Sequence, residues 1–364
     1  MNFEEELRSK ETASPIIKEI EITASKIEGE TRIMEVCGTH TVSLRRSGIH
    51  SLLPPGIRLI SGPGCPVCVT PSGYIDNALI LAEDPGNIVA TFGDMLKVPG
   101  RKGISLARYS GSGNVKILYS PSELVSLARE NPDKQVIFLG IGFETTIPTI
   151  AAVFQKAAAL KLGNLFLYSA FKTVPQALNI LLNDPNRYFD GFLLPGHVSV
   201  IIGADAYSFL EEEGGVPAAI AGFEPVDMLR GILSILKMRS TGGLGVENCY
   251  PRAVRAGGNL KALNLMDQML EPSDEVWRAL GTLPESGLKL RKEYQRFDAG
   301  EVFGLPGITD QDQPGCLCGK VILGKVIPPE CSLFGDTCTP DHPVGPCMVS
   351  SEGTCAAYLR YGET

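Results

Sequence analysis

Cys65-Pro66-Val67-Cys68 sets two thiols three residues apart, between a short apolar run and a helix-like stretch. At such a turn a thiol's pKa falls and a reversible disulfide closes readily. The proline limits the backbone freedom lost on closing that ring. The same two sulfurs could instead be half of a zinc site, with Cys37 and His40 as the other half. Cys37 and His40 are also three residues apart, in Cys37-Gly38-Thr39-His40-Thr41. The imidazole could take the thiol proton, both could bind one soft or borderline metal ion, or the histidine could merely end a helix. The hydroxyls of Thr39 and Thr41 and the free amides of a helix start would suit a small anion.

Six further cysteines crowd the tail: Cys316, Cys318, Cys331, Cys338, Cys347 and Cys355, with His342 the one histidine among them. Soft thiolates suit zinc or an iron–sulfur cluster. Structural zinc usually takes two close cysteine pairs, and this tail has only Cys316-Leu317-Cys318. Single thiolates arriving from several loops read as cluster ligands, with zinc on four of these groups as the alternative. Six thiols exceed four ligands, so two are left that could form a neighbouring redox pair; residue type and spacing do not choose them. Cys249, the tenth, reads as an ordinary buried thiol.

Two more segments carry polar residues where apolar runs end. Glu144, Thr145 and Thr146 in Gly142-Phe143-Glu144-Thr145-Thr146 read as a helix cap or as cleft residues. His197 in Pro195-Gly196-His197-Val198-Ser199 is equally open. No phosphate-binding loop or dinucleotide fingerprint is present.

The elements that must position these residues are short β-branched runs at 32–36, 57–60, 88–92, 115–119, 135–140, 164–168, 191–194 and 217–221, alternating with helix-like stretches. Unbroken apolar runs of this kind are parallel strands covered on both faces, which place their crevices at the carboxyl ends. The reactive motifs all fall there. The second four runs repeat the spacing of the first four about a hundred residues later, with Gly93 and Gly100 in step with Gly196 and Gly203. The fold expected is α/β: two similar parallel-sheet domains, 31–130 and 131–238, facing one cleft. A single larger doubly wound sheet is the alternative. An N-terminal helix (1–30) packs on another domain, and a Cys-rich iron–sulfur domain (239–364) follows. That last region holds a helix around 260–280, then a Gly- and Pro-rich tail that a metal centre would organise.

Composition sets outer limits. The 364 residues are 44% hydrophobic and 20% charged, with a formal charge of −8 that gives a general nucleic-acid binder no basic face. No apolar run approaches the roughly 20 residues of a membrane helix. The first thirty residues are charged and amphipathic, unlike a signal peptide. The expectation is a cytoplasmic protein whose cysteines serve metal or redox chemistry.

Met34-Glu35-Val36-Cys37-Gly38-Thr39-His40-Thr41, Gly62-Pro63-Gly64-Cys65-Pro66-Val67-Cys68, the two segments around Glu144 and His197, Cys338-Thr339-Pro340 and Cys347-Met348-Val349-Ser350 resemble the motifs of the HypD family of hydrogenase maturation proteins. The resemblance covers nearly the whole chain. It implies a scaffold for the iron–dicyano–carbonyl unit, Fe(CN)2CO, of nickel–iron hydrogenases, with thiol and iron–sulfur redox activity rather than conventional turnover. It implies a small HypC-like partner that shares the iron, and a HypE-like cyanide donor loaded by HypF. It implies two similar α/β domains and a third with a 4Fe–4S cluster, on the spacing C-x14-C-x6-C-x16-C. That spacing maps onto Cys316, Cys331, Cys338 and Cys355, leaving Cys318 and Cys347 as a pair like the cluster-adjacent disulfide of ferredoxin–thioredoxin reductase.

On this reading Cys37 ligates the iron under assembly, His40 orients or assists it, and electrons pass from the cluster through Cys318/Cys347 to Cys65/Cys68. An iron–sulfur disulfide reductase acting on a protein or small disulfide would use the same parts without a second iron. A zinc-stabilised sugar- or phosphate-binding protein would use none of the redox chemistry.

Overall fold

The computed structural model describes residues 3–212 and 214–362. The strands are β1 (Thr31–Glu35), β2 (Ile57–Ser61), β3 (Asn87–Thr91), β4 (Val115–Ile117), β5 (Gln135–Gly142), β6 (Leu165–Lys172), β7 (Gly191–Pro195), β8 (Pro217–Ala221), β9 (Gly245–Asn248), β10 (Leu270–Trp277) and β11 (Gly281–Leu290). The first eight coincide, within a few residues, with the eight apolar runs. They form two sheets. The first, ordered β2-β1-β7-β8-β9, is parallel throughout. The second, ordered β10-β11-β6-β5-β3-β4, is parallel from β6 to β4 and carries the antiparallel hairpin β10–β11 on one edge.

The grouping of strands corrects the expected domains 31–130 and 131–238. Neither sheet is drawn from one contiguous stretch. The chain lays down β1 and β2 in the first sheet, β3 to β6 in the second, then returns for β7 and β8. Exchanging each strand for its counterpart in the other repeat turns β2-β1-β7-β8 into β6-β5-β3-β4, the order observed. The repeat is therefore present as two interleaved halves. Apolar runs could not reveal this, because ladder hydrogen bonds are blind to side chains and any doubly covered parallel strand can neighbour another.

The alternation of side chains shows how the sheets share a core. Ile33, Leu193, Ala219 and Ala221 face outward from the first sheet, into a cluster with Ile232 and Leu236 of the helix Pro225–Ser240. Val136, Phe138, Leu165 and Leu167 face outward from the second, against Ile150 and Phe154 of the helix Ile147–Ala159. The other faces contribute to one cluster: Met34, Val36, Phe192 and Leu194 belong to it together with Val89, Ile137 and Leu139 and with the helices Ser72–Glu83 and Val174–Leu182. A core common to both sheets leaves no linker near residue 130.

The N-terminal helices Phe3–Arg8 and Lys10–Ala24 are separated at Ser9, whose Oγ accepts the Thr12 amide at 3.1 Å. Ile20 buries fully against the helix Pro225–Ser240, flanked by the Arg8–Glu224 and Lys237–Glu19 ion pairs. Those pairs are solvent-exposed enough to contribute about 1 kcal/mol at most.

The region 239–364 also departs from expectation. The helix anticipated over 260–280 stops at Met269, and β10 begins at once. Pro272 cannot continue a helix interior, and Val276 and Trp277 favour a strand. Trp277 is fully buried, stacked 5.9 Å from Phe143. β9 and β11 likewise complete the sheets, so the tail proper begins after the hairpin.

That tail is fastened to the carboxyl end of β2. Arg278, 2% exposed, donates from Nε and Nη2 to Thr70 O and from Nη1 to Asp312 at 3.1 Å, with Asp310 at 3.6 Å. The Gly73 amide bonds Thr309 O, and a Cβ at Gly324 would meet Ser61 O at 2.5 Å. Arg278→Met should leave the Thr70 carbonyl and the Asp312 carboxylate without their donor and Asp310 without its nearby cation, costing about 3 kcal/mol. A lowered thermal midpoint together with faster proteolysis of the segment after 305 is the expected result.

Candidate functional site

Cys37 occupies the turn from β1 into the helix Gly38–Arg46, and β1 lies between β2 and β7. The loops after all three strands therefore converge on it. Its Sγ is 3.6 Å from Nε2 of His197, which follows β7. The loop after β2 approaches so closely that a Cβ on Gly64 would fall 2.4 Å from the Cys37 amide nitrogen, and the Gly38 amide donates to Gly64 O. This contact requires glycine at 64.

The imidazole facing the thiol is His197; His40 turns away. Its Nε2 is 3.0 Å from Gly222 O, its Nδ1 is buried without a partner, and its ring packs on Phe223 at 4.7 Å. His197 stacks on the same phenyl ring at 4.9 Å. Burial drives both histidines down to about 4, assisted at His197 by the neighbouring His40, so both rings are neutral near pH 7. Cys37 is 1% exposed, and burial pushes its thiol up to about 12, with the Glu352 carboxylate adding to the effect. The Thr39 and His40 amides at the helix start pull the other way and are outweighed. The site is a protonated thiol beside a neutral imidazole.

Glu352 comes from the tail. Its Oε1 accepts the Thr39 hydroxyl at 2.5 Å, and its backbone covers Gly38 so tightly that a Cβ there would meet Glu352 O at 2.3 Å. Ser350 and Ser351 donate to Asp94 beyond β3. Below, Glu35 is buried and accepts from Thr41 Oγ1 at 2.5 Å, with His50 Nε2 at 3.3 Å. Thr39, His197 and Glu352 form a partly exposed rim over the buried sulfur.

Cys65 and Cys68 are joined as a disulfide, both buried, with the Cys68 amide donating to Cys65 Sγ at 3.2 Å. The six tail cysteines line one cavity together with Leu317, Val321, Leu333, Phe334 and Met348. Backbone amides point at three of the sulfurs: Cys318 N–H to Cys316, Val344 N–H to Cys338, and Cys355 N–H to Cys347. Gly345 leaves room beside the sulfurs, since a Cβ there would meet Cys316 Sγ at 2.9 Å. Cys318 and Cys347 are the deepest, and their thiols contact each other. The same kind of thiol contact joins Cys316 to Cys318 and Cys347 to Cys355, so these four interact in series. Among the described residues no three His, Cys, Asp or Glu groups are placed to hold a single metal ion. Cys249 is half-buried and far along the chain from both groups.

Glu144 does not cap the helix after β5, whose N-cap is Thr146. Its Oε1 instead accepts the Val174 amide at 2.8 Å, at the start of the next helix, and it belongs with the second sheet. Thr145 and Thr146 accompany it in that loop. The sequence reading missed Glu352, Phe223 and Gly222. The last two follow β8 as Gly222-Phe223-Glu224, a strand-end position that could have drawn notice.

Fold and site define a thiol-centred α/β protein, in which strand-end cysteines of one sheet are covered by a docked cysteine-rich tail. The HypD family model, described as the hydrogenase formation hypA family, matches residues 11–362, and the chain belongs to that family. It is 43% identical over its full length to the hydrogenase maturation factor HypD of Azotobacter vinelandii, covering 97% of that protein. The HypD factor of Rhodobacter capsulatus is also 43% identical, over all of this chain and 98% of its own length. That of Escherichia coli K12 is 42% identical over 99% of this chain and 98% of its own. The role of this chain lies in hydrogenase maturation.

A thiol so buried and so far above its ordinary pKa should be slow to alkylate. Iodoacetamide at pH 8 should modify Cys37 at least about tenfold more slowly in the folded protein than in urea. The rate should climb with pH through the alkaline range, as mass spectrometry of quenched samples can follow. Gly64→Ala should abolish this difference by prising the β2 loop from the Cys37 backbone.

Proposed function

We propose that this protein is the scaffold on which the Fe(CN)2CO unit of nickel–iron hydrogenases is assembled, with Cys37 as its thiolate ligand to that iron. The observation that carries the reading is the contact between Cys37 Sγ and His197 Nε2 at 3.6 Å. An iron ion can be held by sulfur only after the thiol proton leaves, and a neutral imidazole is positioned to receive it. His40 acts at one remove, by holding Phe223 against His197. The small HypC-like partner would supply further iron ligands, and a HypE-like partner would bring cyanide to the rim formed by Thr39, His197 and Glu352. Because that rim is bridged by the Thr39–Glu352 hydrogen bond, docking of a partner has to part it before the sulfur is reached.

Four of the tail thiols fit a 4Fe–4S cluster: they are soft donors around one apolar cavity, and amide hydrogens are aimed at two of them, Cys316 and Cys338. Cys316, Cys331, Cys338 and Cys355 would hold it. When bound, such a cluster supplies single electrons to thiols beside it. Cys318 and Cys347, already in contact, can close to a disulfide with loss of two electrons and two protons, and reopen by the reverse. Opening Cys65–Cys68 likewise takes two electrons and two protons, which thiol–disulfide exchange can deliver. Reduced thiols of this kind suit work in the cytoplasm, and among the described residues no helix is long and apolar enough to cross a membrane.

The closed Cys65–Cys68 bond also favours a second reading, a disulfide reductase that needs no assembled iron. Anaerobic purification with co-expressed partners separates the two. Cyanide and carbonyl infrared bands on a complex with a small partner support the scaffold, and a lone protein reducing disulfides supports the reductase.

Cys37→Ala should keep the fold and about four irons and four sulfides per chain while eliminating those infrared bands. Undiminished bands would exclude Cys37 as the iron ligand. Cys338→Ser should do the converse to the cluster, measured as lost iron and sulfide with an unchanged circular dichroism spectrum for the α/β body.

A further inference from the structure

Two rings complete the thiol site, and each follows a glycine at a strand end: Gly196-His197 after β7 and Gly222-Phe223 after β8. One side chain fills the space beside both glycines. A Cβ on Gly196 would fall 2.9 Å from Cδ1 of Tyr250, and a Cβ on Gly222 would fall 2.7 Å from its Cε2. These atoms are opposite corners of the ring, so Tyr250 is a wedge between the two loops. His197 and Phe223, whose rings stack at 4.9 Å, are the next residues along. The Gly222 carbonyl is also the one that His40 Nε2 reaches at 3.0 Å.

Tyr250 has its own supports, in the segment that follows β9. The Cys249 amide donates to Ile220 O at 3.0 Å and fixes that segment to β8. The Tyr250 amide donates to Asn248 Oδ1 at 3.0 Å, and Asn248 Nδ2 donates to Val254 O at 3.0 Å. The Arg252 guanidinium lies 4.3 Å over the Tyr250 ring and grips Asp227 with both Nη atoms, Nη1 at 2.8 Å. Asp227 is fully buried in the first turn of the helix Pro225–Ser240, and a Cβ on Gly222 would strike its carboxylate as well. A two-pronged guanidinium–carboxylate contact fixes orientation as well as position, and the cation resting on the aromatic face holds the ring in turn.

We propose that Tyr250 is a positioning residue: its ring, held by the Arg252–Asp227 pair, sets His197 against Cys37. It acts through the backbone of Gly196 and Gly222. The inference deepens the reading of Cys37 and His197 as the pair that takes up iron, and rests on that reading for its chemical consequence. In that step the S–H bond of Cys37 breaks, the proton bonds to Nε2, and the electron pair left on sulfur goes to the metal ion. Such a transfer tolerates little displacement: about 1 Å of misplacement costs about a hundredfold in rate. Truncating Tyr250 opens a cavity between the two loops, into which they can settle.

The test uses the full-length protein, co-expressed anaerobically with its small partner for the iron measurement, and alone with 13C-labelled histidine for NMR at neutral pH. The His197 ring signal is assigned by its loss in His197→Gln. Tyr250→Ala should move that signal, because the stack on Phe223 shifts, and leave the signal of His342 in the tail unmoved. The same variant should lower the cyanide and carbonyl infrared bands at least about tenfold, with the iron and sulfide of the tail unchanged. Tyr250→Phe, which keeps the ring, should restore both the signal and the bands. If Tyr250→Ala does not fold, Tyr250→Leu, which keeps bulk without the flat ring, takes its place. An unmoved His197 signal in the folded variant, or a His342 signal moved as far, overturns the proposal. A moved His197 signal with undiminished bands upholds the placement by Tyr250 and sinks the reading of His197 as the proton acceptor.

Discussion

The parallel pairing of β1 with β7 is the constraint on which the rest depends. Ile33 lies opposite Gly191 and Glu35 opposite Leu193, so β7 runs only two residues past the end of β1. Cys37 and His197, 160 residues apart in the chain, then emerge side by side from one sheet edge. Gly191 is part of this register, since a Cβ there would press on Ile235 and on Pro217 O at 2.8 Å. Had each repeat closed its own sheet, thiol and imidazole would belong to different crevices. The crossing of the chain between sheets assembles the site, and the common core of Met34, Phe192, Ile137 and Leu139 holds the crossing in place.

Burial at this site has a chemical consequence that a surface cysteine would lack. Desolvation keeps Cys37 protonated and His197 neutral, so the pair carries no charge until something cationic arrives. A thiolate in such surroundings would be costly alone and is stabilised only against a metal ion or a proton. The site is thus quiet toward oxidants and alkylating agents as long as the thiol keeps its proton. The tail contributes by placing Glu352 on the rim, where its carboxylate further raises the thiol. A hydrogen bond from Thr39 holds it there.

Much of this was legible in the residues. Eight strands were marked by runs of β-branched residues because buried parallel strands must be apolar on both faces. The reactive motifs lay at strand ends because crevices form there. The HypD resemblance named the cysteines that the cavity now gathers. What stayed hidden was pairing: nothing in the types of Ile33 or Phe192 states which strand is the neighbour. For that reason His40, near Cys37 in sequence, was favoured over His197, near it in space. The hairpin β10–β11 was hidden because Leu260–Met269 is a good amphipathic helix, and its pattern runs on into Leu270 until Pro272 ends it. Glu352 was hidden because its meaning lies wholly in a contact with Thr39.

The interleaved symmetry also bears on why the two crevices differ. Each is made from a turn after a central strand, flanked by two others, so the backbone address of Cys37 is repeated at Glu144. The flanking loops decide the chemistry. After β2 a glycine-bearing loop, Gly62-Pro63-Gly64, lets the backbone press against Cys37 and seals it from water. After β6 the helix begins at once, at Val174, and its first amide is turned on Glu144. An amide aimed at that address stabilises an oxygen acceptor. A sealing loop stabilises an uncharged sulfur. One fold, used twice with different second loops, therefore yields a sealed thiol on one sheet and a buried carboxyl on the other.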